Sequence, residues 1–371
     1  MSHVVIDVQD HAGDPSNAAP APLPPPRERM WLRVAWGFGV PVVATLLALV
    51  AGAVVIAIEG HDPLAVYESM IDGVVSSRFG WRDTLVRASP LVLIALGLCF
   101  AYRARVYNIG AEGQLVVGAT AATAWATMGP LSGAPGPLLI VTSAVVGAAA
   151  GAGWAGLAAW FGNRFGASIV ICSLLLVYIG QSLLQWAVRQ PLKDPETVLP
   201  QSSVLGDAML PMIGDLRLHA GVLVAGLLAP IALVAMFRTR FGFRVRTMGF
   251  NRDALEANET SAARITTAVM LVSGGLAGLA GYLEVAGVQT RLQGGISPGY
   301  GFTAITVALV GRLHPIGVVG SGILLSAMLI GAETAQREFA LPVALVAMIQ
   351  SLVVLLVVAG DALAGRWRTD S

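Results

Sequence analysis

The chain has 371 residues, of which 56% are hydrophobic and only 12% are charged, about half the charged fraction of a typical soluble domain. Its mean hydropathy is +0.73. The apolar residues form repeated long runs, which argues against a soluble globular protein and favours a membrane protein. A net charge of +1 creates no long-range field for attracting nucleic acid, so we expect no nucleic-acid partner.

The amino-terminal segment differs in composition from the rest of the chain. Residues 1–34 are rich in proline and contain no long apolar run, which predicts a disordered cytoplasmic tail. The first apolar segment, about residues 35–58, is long enough to cross a hydrocarbon core of roughly 30 Å. We predict a transmembrane domain over residues 35–361 and a second cytoplasmic tail over residues 362–371.

About ten apolar segments are predicted as membrane helices, which makes the fold an all-α polytopic membrane protein. They lie at about residues 35–58, 86–102, 113–128, 137–161, 167–187, 219–237, 264–284, 301–311, 315–333 and 341–360. When the amino terminus is placed inside, most of the basic residues fall on the cytoplasmic side, as the positive-inside rule requires. Both termini are therefore predicted to be cytoplasmic.

Two of these spans are predicted to be broken or short. Ala88–Phe100 and Gly301–Val310 are each followed within a few residues by polar or Gly/Pro-rich sequence. Each could end in nothing more than a tight cytoplasmic turn. Short, glycine-interrupted segments at corresponding positions of two halves are, however, typical of a transport site, because broken helices free backbone groups to line a cavity.

Glycines recur at helical spacing in two of the predicted spans. Gly147 and Gly151 lie in one span, and Gly274, Gly278 and Gly281 lie in another. Small residues allow membrane helices to approach closely, so we predict that these are helix-packing faces.

Several polar residues fall within or beside the predicted spans. The candidates for a solute path are Asn108, Glu112, Gln114, Glu284, Gln289, Arg291 and Tyr300. Such groups are costly in lipid, so they either form interhelical hydrogen bonds or line a path for a polar solute. We favour the path for Glu112 and interhelical hydrogen bonds for Gln181 and Gln185.

The largest predicted cytoplasmic connection covers residues 238–263. Its first part, Arg238–Arg246, is basic and aromatic, which indicates an anchor at the membrane interface. In its second part Asn251 is a plausible N-cap of a short helix, with Asp253 in the first turn. The apolar face of that helix is too small to bind lipid well, so we predict that it docks on a protein partner.

No catalytic motif is present in the sequence. We find no Ser-His-Asp set, zinc motif or paired-carboxylate motif, and the only lysine, Lys193, precedes an aspartate and cannot belong to a phosphate-binding G-x-x-x-x-G-K-[ST] loop. We therefore expect a chain that is not an enzyme and that binds no metal or cofactor.

Four segments resemble the permease subunits of bacterial ABC importers for nucleosides and simple sugars, in the branched-chain amino acid permease-like superfamily. The matching segments are residues 107–114 (YNIGAEGQ), residues 217–221 (RLHAG), residues 275–302 (which include GLAGLAG and GISPGYGF) and residues 308–317 (ALVGRLHPIG). The resemblance extends over nearly all of residues 60–360. The chain departs from the family at Gly166–Ser168, where family members often have an Asn-Glu pair.

The resemblance implies a multi-pass subunit of the bacterial plasma membrane. In that family the permease works with a second, homologous or identical permease, with two ATPase subunits that hydrolyse the ATP, and with a solute-binding lipoprotein. Residues 249–260 match the family's coupling helix, so the resemblance assigns coupling to the ATPase to Asn251, Asp253, Leu255 and Glu256.

Two alternatives remain open from the sequence. An ion-driven secondary transporter of a small polar solute would use Glu112 and the two broken regions as its coupling site. A membrane scaffold that transports no solute is the other alternative. Dependence of transport on an ATPase subunit distinguishes an importer permease from both.

Overall fold

The computed structural model describes residues 46–47, 49–76, 78–215, 218–257 and 260–342, together with residues 348, 351, 352, 355 and 356. The predicted tails, at residues 1–34 and 362–371, lie outside the described residues. So do the first part of the span at 35–58 and most of the span at 341–360.

The described chain is almost entirely helical. Its helices are α1 (Leu49–Ile58), α2 (Pro63–Val75), α3 (Arg78–Arg103), α4 (Ala111–Met128), α5 (Gly136–Phe165), α6 (Ile169–Arg189), α7 (Ala220–Arg238), α8 (Arg240–Phe250), α9 (Arg252–Ala257), α10 (Ala262–Glu284), α11 (Tyr300–Val310) and α12 (Pro315–Phe339). A π-helical turn, Val285–Gln289, extends α10, and a 3₁₀ turn covers Gly206–Ala208. Strands β1 (Met212–Ile213) and β2 (Leu218–His219) form a short antiparallel hairpin before α7.

Six of the described helices are long and apolar enough to cross a membrane: α3, α5, α6, α7, α10 with its π turn, and α12. A seventh span results if α1 and α2, which are bent by 118° at the break between them, count as one. The prediction of an all-α polytopic membrane protein is therefore confirmed, but the count of ten spans is not. Helix α11 has only 11 residues, and the glycines and polar residues of α4 make it less apolar than a typical membrane span.

One predicted short span is wrong. Residues 88–100 are the interior of α3, a continuous helix of 26 residues, in spite of Pro90. Proline has no N–H to donate to the carbonyl four residues earlier, which here belongs to Val86. The Ser89 hydroxyl donates to that same carbonyl oxygen at 2.9 Å. The side chain thus replaces the lost backbone bond, and the helix continues without a break.

The core is built around α10, which packs extensively against α5, α4 and α3. Glycines allow these contacts, as predicted. A Cβ atom on Gly278 would lie 2.2 Å from the carbonyl oxygen of Gly147 on α5, and one on Gly118 of α4 would lie 2.3 Å from the Cα of Gly278. Because any side chain here would collide with backbone, the close packing of the three helices depends on glycine.

The carboxyl-terminal ends of α3, α5 and α7 and the start of α10 lie on the same side of the molecule. The Asn163 amide at the end of α5 donates to the Ala263 carbonyl at the start of α10, at 3.1 Å. The Arg103 guanidinium at the end of α3 donates to the Leu313 carbonyl at 2.7 Å and stacks on the ring of Phe237 at the end of α7. We call this side, which also carries α8 and α9, the α8 side.

Candidate transport site and docking helix

Two helices begin inside the molecule and meet at their amino termini. The backbone N–H of Gly301, in the first turn of α11, donates to the Glu112 carboxylate in the first turn of α4, at 2.7 Å. A Cβ on Gly301 would lie 2.2 Å from the Glu112 nitrogen, so only glycine permits this approach. The Ser297 hydroxyl and the Gly299 N–H also bond the same carboxylate. The negative charge of Glu112 thus lies at the positive end of α11.

From the length of α11, we expect this meeting point to lie near the middle of the membrane. Helix α11 ends on the α8 side, because the turn that follows it contains Leu313, the partner of Arg103. Eleven residues at a rise of about 1.5 Å each extend about half of a hydrocarbon core of roughly 30 Å. The prediction that Gly301–Val310 is a short segment is therefore confirmed: α11 is a half-length helix whose first turn contacts Glu112. Its role at a transport site stays a prediction.

An open cleft of about 760 Å³ lies beside Glu112, between α4, α6 and residues 295–297. We call it the α4–α6 cleft. Its walls combine polar groups, one of them the cation Arg189, with two exposed aromatic rings: Glu112, Tyr178, Gln181, Gln185, Trp186, Arg189 and Ser297. Aromatic faces beside amide and carboxylate groups suit a ligand that has both a flat ring and hydroxyl groups.

Gln181 and Gln185 belong to this cleft rather than to a helix interface. Within the described chain neither side-chain amide has a hydrogen-bond partner, and Gln181 is exposed. The expectation of interhelical hydrogen bonds is therefore wrong for both. Their separation of four residues correctly places them on one face of α6, but that spacing does not show which neighbour the face meets.

Asn108 and Gln114, in contrast, form a closed pair. Each side-chain amide donates to the other's oxygen at 2.9 Å. The Asn108 amide also donates to the Ser273 hydroxyl on α10 at 2.9 Å, and its oxygen accepts the Gly110 N–H at 3.0 Å. Both side chains are almost completely buried, and neither lines the α4–α6 cleft.

Three other path candidates form part of a separate polar cluster. Arg87 on α3 forms an ion pair with Glu333 on α12 and a hydrogen bond with Tyr300. Glu284 is buried near Arg87 and accepts a hydrogen bond from the Gln289 amide at 3.4 Å. None of these five side chains lines the α4–α6 cleft. Arg291 is half-buried outside both groups.

Sequence reasoning missed Arg87 and Glu333. Both fall at the edges of predicted spans, where a charge is expected to reach water. Because an arginine inside a long apolar helix requires an acidic partner, the correct length of α3 would have indicated that Arg87 has one, although not which residue it is.

The predicted docking helix forms as expected. The Asn251 side chain accepts the N–H groups of Asp253 and Ala254 at 2.9 and 3.2 Å, which confirms it as the N-cap of α9. Asp253 and Glu256 are exposed, and Glu256 pairs with Arg252 at 3.1 Å. Acidic side chains are therefore available to a partner on this helix.

Leu255 has a different position from the other predicted coupling residues. Its side chain is only 2% exposed and is part of the main apolar core, so it fixes α9 to the rest of the chain. Phe250, the last residue of α8, is 86% exposed beside α9. Sequence reasoning did not select Phe250, although an aromatic residue just before the N-cap was a signal for it.

A junction of side chains links α8 to the membrane helices. The ring of Phe237 is contacted by the guanidinium groups of Arg103 and Arg246, at 5.1 and 5.3 Å from its centroid. The His314 ring lies 5.2 Å from the same centroid, and Arg246 also bonds the Met236 carbonyl. We call these four side chains, Arg103, Phe237, Arg246 and His314, the Phe237 junction; it connects α8 with the ends of α3 and α7 and the start of α12.

Comparison with known proteins identifies the family of the chain. The family described as branched-chain amino acid transport system / permease component matches residues 81–358. The chain belongs to this family. No solved structure matches it.

Three relatives illustrate the similarity. The glucose ABC transporter permease protein TsgB13 of Haloferax volcanii is 34% identical, over 88% of this chain and 89% of the relative. The guanosine ABC transporter permease protein NupP of Bacillus subtilis is 31% identical, over 87% and 94%. The nucleoside ABC transporter permease protein NupB of Lactococcus lactis is 28% identical, over 79% and 83%. The chain is thus similar to transport permease proteins over most of its length.

Proposed function

We propose that this chain is the permease subunit of an ATP-driven importer that moves nucleosides, or else simple sugars, across a bacterial plasma membrane. The observation that carries the proposal is the α4–α6 cleft, which opens beside the meeting point of two helix starts in a chain of a permease family. The names of the relatives, which specify guanosine, nucleoside and glucose, support the substrate class. In this proposal both termini are cytoplasmic, and ten segments cross or enter the membrane.

The chemistry of the cleft, which Arg189 also lines, favours a solute with several hydroxyl groups that brings no cation to Glu112. The Glu112 carboxylate already accepts bonds from Gly301, Ser297 and Gly299, so little of its charge is available to pair with a cation. The amides of Gln181 and Gln185, which have no partner among the described residues, can donate to and accept from hydroxyl groups. This distribution of partners also argues against Glu112 as the ion-coupling group of a secondary transporter.

Not all of the predicted path residues have the same role in this proposal. Glu112 lines the central part of the path. Asn108 and Gln114 shape the path from behind, because their hydrogen bonds are complete within the protein. Glu284, Gln289, Arg291 and Tyr300 remain predicted path residues for a section outside the α4–α6 cleft.

The partners in this proposal follow from the exposed surfaces. An ATPase subunit binds α9 through Asp253 and Glu256 and hydrolyses the ATP, while this chain binds no cofactor. A second permease, identical or homologous, covers the cleft side of α6, where Tyr178 and Gln181 are exposed. A solute-binding lipoprotein delivers the solute on the side opposite α8.

The Phe237 junction supplies a route from the ATPase to the cleft. Movement of α9 displaces α8, whose Arg246 is held on Phe237. Arg103 in turn holds the turn after α11 through the Leu313 carbonyl. Because α11 begins at Glu112, a shift of this half-length helix changes the shape of the cleft.

Purification tests the proposed assembly. The tagged full-length chain is isolated from its native membrane in mild detergent, and the bound proteins are identified by mass spectrometry. We expect an ATP-hydrolysing subunit and a second permease. Recovery of the chain alone, in a preparation that transports after reconstitution without ATP, would replace the proposal with an ion-driven transporter.

A charge-reversal variant tests the docking helix. Glu256→Arg should greatly reduce recovery of the ATPase subunit, because it reverses one of the two exposed acidic side chains of α9 and leaves Arg252 without its partner. The matched control is Glu196→Arg, an equally exposed charge reversal in the loop between α6 and α7. Equal recovery with both variants would show that α9 is not the ATPase contact.

A further inference from the structure

A continuous exposed surface lies where α7 ends and α8 begins. Arg238, Thr239, Arg240, Phe243 and Arg244 are all exposed, and we call them the α8 patch. The patch combines three cationic side chains with one aromatic ring, which is 61% exposed. Neither the docking role of α9 nor the cleft uses any of these residues.

The α8 patch lies at the level where the apolar helix α7 ends. Only Thr239 separates the two helices, and its hydroxyl accepts the Gly242 N–H at 3.1 Å, which caps α8. The Arg246 guanidinium bonds the Met236 carbonyl, so the first two turns of α8 lie against the last turn of α7. Because α7 is one of the membrane-spanning helices, this part of α8 lies at the membrane boundary.

The arginines of the patch have no partner among the residues that the structure describes. Within the part of the chain that the structure describes, Arg238, Arg240 and Arg244 form no ion pair, hydrogen bond or ring contact. Arg252, one helix further on, is also exposed but is paired with Glu256 at 3.1 Å. Arg252 has an acidic residue four positions away, whereas the arginines of the patch have no acidic residue near them in sequence.

A second group marks the same boundary. Trp160, Phe161 and Phe165 at the end of α5 are exposed and form a ring cluster with Arg164. Exposed aromatic rings with basic side chains are typical of the interface between hydrocarbon and headgroups. The end of α5 is on the α8 side, because Asn163 bonds the start of α10.

We infer that the α8 patch is a binding site for the phosphate headgroup of an anionic phospholipid, with Arg240 and Arg244 on the phosphate and Phe243 in the outer acyl region. Guanidinium groups match phosphate oxygens in geometry and charge, and basic clusters next to a membrane helix attract anionic lipid. A protein contact is less suited to this patch, because its depth at the end of α7 places Phe243 against acyl chains. The site concerns lipid and does not depend on the transported solute.

Native mass spectrometry of the full-length chain tests this site. Delipidated protein in detergent is offered dioleoyl phosphatidylglycerol and dioleoyl phosphatidylcholine at equal concentration, and the retained lipids are counted. We expect the wild type to prefer phosphatidylglycerol. The Arg240→Gln/Arg244→Gln variant should lose about fivefold of that preference for each arginine, or about 25-fold for the pair. Arg252→Gln removes an exposed but paired charge and should retain the preference.

Two results would overturn the site. The first is an unchanged preference for phosphatidylglycerol in Arg240→Gln/Arg244→Gln; if the same variant also loses the co-purified ATPase subunit, the patch is a protein contact. The second is an equal loss in Arg252→Gln, which would indicate a response to net charge alone.

Two further measurements distinguish loss of the lipid site from loss of the fold. The melting temperature of Arg240→Gln/Arg244→Gln should equal that of the wild type, because the side chains are exposed and unpaired. Arg240→Lys/Arg244→Lys retains both charges and should retain most of the preference for phosphatidylglycerol. A lowered melting temperature in both variants would show that the arginines are structural, and the lipid site would be rejected.

Discussion

Two pairs of side-chain amides lie near the starts of α4 and α11, and one pair is buried and hydrogen-bonded while the other faces an open cleft. Asn108 and Gln114 bond each other twice and reach Ser273, and both are buried. Gln181 and Gln185 face the α4–α6 cleft without a partner in the described chain. The same chemical group therefore serves the fold in one place and remains available to a solute in the other. What separates the two roles is completeness of hydrogen bonding rather than polarity.

Glu112 lies between these two situations. Its carboxylate is held by the start of α11 and also lines the α4–α6 cleft. We therefore expect substitutions in the closed pair to affect folding, those in the open pair to affect transport, and those at Glu112 to affect both.

The largest effect should come from opening the closed pair. Asn108→Leu leaves Gln114, Ser273 and the Gly110 N–H without their partner, and an unpaired buried group costs about 1–3 kcal/mol. We expect the free energy of unfolding to fall by about 3 kcal/mol, measured by thermal unfolding of the purified protein. Asn108→Leu/Gln114→Leu should cost less than the sum of the single changes, because it removes both partners. Additive effects would show that the two amides do not act as a pair.

Glu112→Gln should have an intermediate effect on stability and also impair transport. It removes the negative charge at the start of α11 but keeps an oxygen that can accept the Gly301 N–H, so what is lost is the difference between a hydrogen bond to a charged group and a neutral one, about 1 kcal/mol. We expect a lower melting temperature and slower uptake of radiolabelled guanosine and glucose. If stability and uptake both match the wild type, Glu112 does not hold α11.

Gln185→Leu should affect transport alone. The wild-type amide has no partner within the described chain, so the melting temperature should not fall. Loss of one hydrogen bond to a neutral solute costs about 1 kcal/mol, which corresponds to about a fivefold higher KM for uptake. Gln114→Leu is the matched control: it removes an amide of the closed pair, so it should lower the melting temperature, which Gln185→Leu should leave unchanged. If Gln185→Leu lowers the melting temperature and leaves KM unchanged, Gln185 serves the fold and not the solute.

Much of the helical framework could be predicted from sequence, because long apolar runs define membrane helices. The bounds of α5, α6, α7 and α10 agree with the predicted spans to within a few residues, except at the extended end of α5. Local rules also held at Asn251, whose side chain caps α9. The length of α3 was mispredicted, because arginines and Pro90 interrupt its apolar run.

The candidate site was predictable only in part. Glu112 was predicted as a path residue and Gly301–Val310 as a short segment, and the structure brings Glu112 and Gly301 into contact. The other predicted short segment, Ala88–Phe100, is the interior of α3. Pairing between distant residues, such as Arg87 with Glu333, leaves no trace in local spacing. For the same reason the open position of Gln185 was not foreseen, since a helical face does not reveal what it meets.

The central claim is that solute passes through the α4–α6 cleft. It is tested most directly in cells that make the whole transporter, with Cys99 and Cys172 replaced by alanine and a single cysteine introduced as Gln185→Cys. We predict that a thiol reagent blocks uptake of guanosine or glucose, and that the transported one protects the cysteine. Gln114→Cys, which is buried, should not react. Labelling of Gln185→Cys with unchanged uptake and no protection would contradict the claim.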